Sequence, residues 1–193
     1  MFVPSQALEQ SRLPVVYYLP GYGNSTESFI SNSNVWAQFT QKIADEITPM
    51  IFVVVDGRTR WSGSQYLNSA VQGGYADYVC DEIVTMVEKK FPALRTGVCR
   101  IIAGHSSGGF GALRLGMARQ KLFDGVLAMS PDSDFPTSHL PLVKIAAVTN
   151  LPLADVKKNR CGKNAHAEKR RPYLRTWLVS RLRAARLAAS RRI

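Results

Sequence analysis

The sequence predicts an α/β protein in which helices cover both faces of a mainly parallel β-sheet. Short runs of β-branched and aromatic residues alternate along the chain with longer segments of helical period. The first two runs, at Val15–Leu19 and Ile51–Val55, are apolar throughout, which is typical of strands that are buried on both faces. With 193 residues, 46% of them hydrophobic, the chain is long enough for one domain with a substantial core.

Four apolar runs are predicted to be strands of this sheet. In chain order they are Val15–Leu19, Ile51–Val55, Val98–Gly104 and Val126–Ser130, and Val143–Val148 is a candidate fifth. The first two runs end at turns that contain glycine, and both have the composition of buried central strands.

Two segments between the strands are predicted to be helices that face the core, because their apolar residues recur every three or four positions. The members are Trp36, Phe39, Ile43 and Ile47 in the first segment, and Tyr75, Val79, Ile83, Met86 and Val87 in the second. At this spacing, packing explains the aromatic members more simply than cofactor binding does. No cofactor is predicted.

The positive charge of the chain is concentrated in its last part. The net charge is +11, and residues 157–193 hold thirteen Lys or Arg with one acidic residue, whereas residues 1–156 are nearly neutral. We therefore predict a core over residues 1–156 and a basic tail, rich in Arg, Ala and Leu, over residues 157–193. The core is not expected to bind nucleic acid.

Two explanations of the tail remain open. It can form a basic amphipathic helix that binds an anionic membrane or nucleic acid. Alternatively, the abrupt change of composition after Asp155 marks a disrupted reading frame. The stripe on which the first explanation depends consists of Leu174, Trp177, Leu178, Leu182, Ala185 and Ala189.

The cysteines and the N-terminus give few positive signals. Cys80, Cys99 and Cys161 are odd in number and widely spaced, so the sequence predicts neither a disulfide framework nor a metal site. No stretch approaches the ~18 apolar residues of a membrane span, and the first residues lack the pattern of a signal peptide. As written, the chain is expected to be soluble and cytoplasmic, or secreted or periplasmic if an N-terminal segment is missing.

A G-x-S-x-G motif at residues 104–108 contains the candidate nucleophile, Ser106. The motif stands between a predicted strand and a predicted helix, where a sharp turn presents a serine hydroxyl to a cleft. Small residues on either side permit the bend, and the helix N-terminus places partial positive charge near a developing oxyanion. Without that context, the motif would be an ordinary turn rich in Gly and Ser. His105 is interpreted as structural because it adjoins the nucleophile.

A second loop, Leu19–Phe29, supports this interpretation. It follows the first strand, where its glycines can present backbone N–H groups to the same cleft, with Tyr22 as one donor and Ser107 as the other. A phosphate-binding loop is the competing explanation, but neither G-x-x-x-x-G-K-[ST] nor G-x-G-x-x-G occurs here.

Together these motifs resemble the putative esterases related to esterase D, S-formylglutathione hydrolases, feruloyl esterases and mycolyltransferases. The resemblance covers about residues 13–155 and is carried by YYLPGYG, VVVDGRTRWSGSQYLNSAVQGGYADYV, GHSSGGFGAL and AMSPDSDF, in the family's order. It implies an α/β-hydrolase-type sheet that is incomplete at its C-terminal end. It also implies Ser106 as nucleophile, the amides of Tyr22 and Ser107 as oxyanion donors, and Tyr66 and Asn68 in the wall of the active site.

The partners of the nucleophile are less well defined by the sequence. The family takes its acid and its histidine from loops after the last strands, and the candidates here are Asp132, Asp134, His139 and His166. The resemblance implies a serine hydrolase that acts on small-molecule esters or thioesters through an acyl-enzyme. Its activity would be reduced or lost if these partners are missing. The alternatives are a non-catalytic remnant or binding protein and an adaptor that acts through its basic tail.

Overall fold

The structure is a computed structural model that describes residues 1–4, 12–31, 36–38, 40–42, 49–60, 62–95, 100–138 and 140. Its named elements are β1 (Val15–Leu19), α1 (Thr26–Ser31), β2 (Ile51–Val54), β3 (Asn68–Ser69), β4 (Gly73–Gly74), α2 (Tyr75–Asp77), a π-helical segment (Tyr78–Ile83), α3 (Val84–Lys90), β5 (Arg100–His105), α4 (Ser107–Ala118), β6 (Gly125–Met129) and α5 (Phe135–Ser138). Residues 36–38 and 40–42 are also helical. The candidate strand Val143–Val148 and the tail over residues 157–193 lie outside the described residues.

Four of the strands form one parallel sheet in the order β2-β1-β5-β6, which confirms the predicted fold class. β1 and β5 lie side by side in its middle, so the strand that precedes Ser106 is an inner strand. β2 is fully buried, as its composition predicts, but it lies at an edge of the described sheet. Phe2 covers its outer side through an antiparallel bridge to Phe52.

Apolar side chains pack on both faces of the sheet, because alternate residues of a strand point to opposite faces. Val15, Tyr17 and Leu19 of β1 belong to the larger core cluster, together with residues of α3 and α4. Val16 belongs to a smaller cluster on the other face, which Phe29 and Trp36 cover. Helical residues therefore contact both faces of the sheet, as predicted.

The helix over residues 75–90 departs from its predicted period. Val79 and Val87 are buried as expected, but Met86 is 37% exposed and Val84, which was not predicted to face the core, is buried. The cause is the π-helical segment, whose i→i+5 hydrogen bonds widen the turn and rotate the residues that follow. The prediction for Met86 is wrong because it assumes a regular α-helix.

β6 lies at the opposite edge of the sheet from β2, and its apolar side chains are exposed. Val126 is 44% and Leu127 is 54% accessible, although they point to opposite faces. Among the described residues, no further strand pairs with β6. Side chains that a fully covered parallel sheet would bury therefore lie at the surface.

Candidate active site

Ser106 occupies a sharp turn between β5 and α4. Its backbone angles are φ 57° and ψ −119°, a conformation that L-residues rarely adopt and that is concentrated at functional sites. The turn is held by three backbone hydrogen bonds: the Ser106 N–H donates to Met129 O at 3.0 Å, and Ser106 O accepts from Phe110 N at 3.0 Å and from Asp132 N at 3.2 Å. The predicted bend is therefore present and is held by contacts on both sides.

The Ser106 side chain does not cap the helix that follows it. Serine at an N-cap commonly accepts a hydrogen bond from a backbone N–H in the first turn, but Ser106 makes no side-chain capping bond to α4. The residue as a whole is half-buried. Its hydroxyl is therefore not committed to capping α4.

Glycines allow β5 and α4 to approach each other and the strand beside them. A Cβ atom added to Gly104 would lie 2.2 Å from Gly108 O, and one added to Gly108 would lie 1.8 Å from Leu19 O. Ser107 is buried in the first turn of α4, where helix geometry leaves its N–H without an intrahelical acceptor. The Ser107 amide, the predicted oxyanion donor, therefore follows Ser106 directly at the start of α4.

The loop after β1 lies against this turn. A Cβ atom added to Gly21 would lie 3.5 Å from both Ser106 Cβ and His105 O, so there is room for only a small side chain between the two loops. The loop reverses at Gly23, whose φ is 80°, and Asn24 N donates to Gly21 O at 3.1 Å. Tyr22, the predicted second donor, stands between these two glycines and is half-buried.

Tyr66 and Asn68, the two residues predicted in the wall of the site, have different surroundings: Tyr66 is buried and Asn68 is exposed. Tyr66 is only 3% exposed and its hydroxyl donates to Pro20 O at 2.9 Å, so it lies beneath the loop and not on an open wall. Asn68 is exposed, and its amide oxygen accepts from the N–H groups of Ala76 and Asp77 at the start of α2. Asn68 therefore links β3 to α2. Spacing could not reveal the contact of Tyr66, because 46 positions separate it from Pro20.

The structure does not bring an acid–base pair to Ser106 within the described residues. Asp132 contacts the turn through its backbone N–H, and the Asp134 side chain accepts from Thr137 N at 3.3 Å at the start of α5. His105 is exposed at the end of β5. The other two candidates, His139 and His166, lie outside the described residues.

The remaining chemistry of the described part is limited. Burial raises the pKa of the Cys80 thiol to about 11, so this buried cysteine is protonated at neutral pH and is a poor nucleophile. The described residues contain no group of three His, Cys, Asp or Glu residues that could hold a metal ion. None of the described helices has the length and apolar character needed to cross a bilayer.

The chain belongs to the putative esterase family, whose model matches residues 1–180. This match extends beyond residue 156, the predicted boundary of the core. Three solved structures are similar to the described fold. A ferulic acid esterase shares 26% identity and a TM-score of 0.53, over 66% of this chain and 50% of its own.

Two further similar structures come from Staphylococcus aureus. A fluorophosphonate-binding serine hydrolase shares 18% identity and a TM-score of 0.55, over 95% of this chain and 66% of its own. An S-formylglutathione hydrolase shares 19% identity and a TM-score of 0.52, over 93% of this chain and 66% of its own. At these identities, both support the α/β-hydrolase fold alone. The chain thus spans one half to two thirds of the length of these three structures.

Proposed function

We propose that this chain carries the nucleophile and the oxyanion hole of a serine esterase. The observation that carries the proposal is Ser106 itself: its strained turn, its uncapped hydroxyl and the adjacent Gly21 stand where family membership leads us to expect a nucleophile. The substrate class is a small-molecule carboxylic ester or thioester. No cofactor takes part in the proposed reaction.

In the proposed reaction, Ser106 Oγ attacks the acyl carbonyl and its proton passes to a general base. The carbonyl oxygen becomes an oxyanion that accepts hydrogen bonds from the amides of Tyr22 and Ser107, assisted by the positive end of α4. Collapse of this intermediate expels the alcohol or thiol, which takes up the proton and leaves an acyl-enzyme. Water then attacks the acyl-enzyme, so that the acid is released and Ser106 is regenerated.

The base is proposed to be a histidine outside the described residues, with His139 and His166 as candidates. Asp132 remains a candidate acid because its backbone already contacts the turn, whereas the Asp134 carboxylate is engaged at the start of α5. Loss of the base would leave roughly 10³–10⁴-fold acceleration over water, supplied by the oxyanion hole and substrate binding.

A non-catalytic binding protein built on the same fold is the second candidate. It is favoured by one observation, namely that His105, the only histidine within residues 100–138, is exposed at the end of β5. Such a protein would retain the cleft and bind an ester without turning it over. Binding of anionic surfaces by residues 157–193 is a separate prediction that the described residues do not bear on.

A fluorophosphonate probe and an activated aryl ester separate the two candidates. The full chain and Ser106→Ala are incubated with each reagent, and labelling is located by mass spectrometry of the tryptic peptides. We expect labelling at Ser106 and ester turnover in the wild type, both lost in the variant. Equal and slow turnover in the two proteins, with no labelling, would support the binding protein.

A further inference from the structure

Residues 62–66, which we call the clamp segment, contact three of the four residues in the loop Pro20–Gly23. Tyr66 Oη donates to Pro20 O at 2.9 Å, and Gly23 N donates to Ser62 O at 3.1 Å. The Tyr22 ring packs so closely on Gly63 that an added Cβ atom would lie 2.4 Å from the ring. The loop that presents the Tyr22 amide is therefore held at both ends and along its side.

The Tyr66 side chain has almost no freedom to move. Its ring lies between two glycines, and a Cβ atom added to Gly57 or to Gly111 would approach it to 2.5 or 2.6 Å, respectively. Burial, together with the nearby negative charge of Asp56, raises the pKa of the Tyr66 phenol well above its usual value. The hydroxyl thus stays protonated and remains a donor to Pro20 O at any working pH.

The clamp segment adopts a costly conformation in order to make these contacts. Ser62, Gln65 and Tyr66 have φ values of 73°, 56° and 55°, in the left-handed region that favours glycine. The Gln65 amide is also buried, and neither its nitrogen nor its oxygen has a hydrogen-bond partner among the described residues. Each such feature destabilises the folded chain, and features of this kind concentrate at functional sites.

We propose that the clamp segment positions the Pro20–Gly23 loop for catalysis, and that Tyr66 is its principal positioning residue. The proposal rests on the proposed function, because the loop matters to rate only if the Tyr22 amide stabilises an oxyanion. Without the Tyr66 hydroxyl, Pro20 O loses its donor and the loop gains freedom beside Ser106. The Tyr22 amide would then spend less time in the geometry that the transition state requires.

The test compares Tyr66→Phe, which removes one oxygen and keeps the ring, with Tyr75→Phe as its matched control. Tyr75 also donates its hydroxyl to a loop carbonyl, but its acceptor is Arg58 O, at 2.7 Å, and not a residue of the Pro20–Gly23 loop. Two readouts are taken on the full chain: hydrogen–deuterium exchange of the Gly23 amide, and kcat and KM for an aryl ester together with the rate of fluorophosphonate labelling. Exchange reports the loop directly, and the rates report its consequence.

We expect Tyr66→Phe to accelerate exchange at Gly23 and to lower kcat and the labelling rate by about ten-fold, with KM changed by less than about two-fold. Tyr75→Phe should change none of these. Equal exchange and equal rates in the two variants would overturn the proposal. A third outcome is that exchange at Gly23 is faster in Tyr66→Phe but the wild type is not labelled at all. This would overturn the role of the loop in catalysis while supporting the structural contact between Tyr66 and the loop.

Gly63→Ala tests the same loop if Tyr66→Phe fails to fold. Its new methyl group displaces the Tyr22 ring from the side and leaves the Tyr66 hydrogen bond in place. We expect the same fall in kcat and labelling rate with little change in KM. A wild-type labelling rate in Gly63→Ala would show that the position of the loop does not control the reaction, and would overturn the proposal.

Discussion

The two loops that form the candidate site are supported in different ways. The turn at Ser106 is supported by its sequence neighbours, since Gly104, Gly108, Phe110 and Met129 lie within 25 positions of it. The Pro20–Gly23 loop depends on residues about 40 positions away, in the clamp segment. The first loop is part of the sheet and helix framework, whereas the second is placed on that framework by another loop.

The difference teaches that the proposed nucleophile and the proposed oxyanion hole can be damaged separately. A substitution in the turn at Ser106 distorts the contact between strand and helix, and therefore the fold. A substitution in the clamp segment shifts the Pro20–Gly23 loop and can leave the sheet intact.

The largest effect is expected for Gly108→Ala. The new methyl group would meet the backbone of β1 at Leu19 O and C, at 1.8 and 2.5 Å, and a central strand cannot move aside cheaply. We expect the free energy of unfolding to fall by about 3 kcal/mol or more, measured by urea denaturation. Gly125→Ala is the control, since its methyl group would meet Ile101 at an ordinary 3.5 Å. Equal stability of the two variants would contradict the tight packing at Gly108.

An intermediate effect is expected for Gly57→Ala, which acts on the support of the second loop. Its methyl group would lie 2.5 Å from the Tyr66 ring. The ring cannot move away without strain, because Gly111 bounds its other side. We expect a loss of about 2 kcal/mol in unfolding free energy and faster amide exchange at Gly23. Gly74→Ala, whose methyl group would have no neighbour closer than 3.7 Å, should show neither change. Wild-type exchange at Gly23 in Gly57→Ala would show that the position of the Tyr66 ring does not control the Pro20–Gly23 loop.

The smallest effect is expected for Ser106→Gly, and it is an increase in the free energy of unfolding, not a decrease. Glycine adopts a φ of 57° without the steric penalty that serine bears, so the unfolding free energy should rise by about 1 kcal/mol relative to Ser106→Ala. Both variants should lose fluorophosphonate labelling. A Ser106→Gly protein no more stable than Ser106→Ala would show that the turn is not strained.

Much of the fold could be predicted from the sequence because strands and helices leave local patterns. Val15–Leu19 is apolar over its whole length and the run before Ser106 is mainly apolar, and both are inner strands of the parallel sheet. The pattern failed at Met86, since a π-helical segment leaves no distinct spacing of apolar residues. The pattern also carries no information about which strands are neighbours in the sheet. Ile51–Val55 was therefore predicted to be a central strand, whereas β2 lies at the edge of the described sheet.

By itself, the sequence determined the α/β class, the family and the bend at position 106, because backbone sterics and hydrophobic period act over a few neighbouring residues. The tertiary structure alone decided that Tyr66 lies beneath the Pro20–Gly23 loop and that Asp134 is engaged at the start of α5. Such contacts join residues that come together only after the sheet has formed, and no periodicity in the chain records which distant side chain will fill a given space.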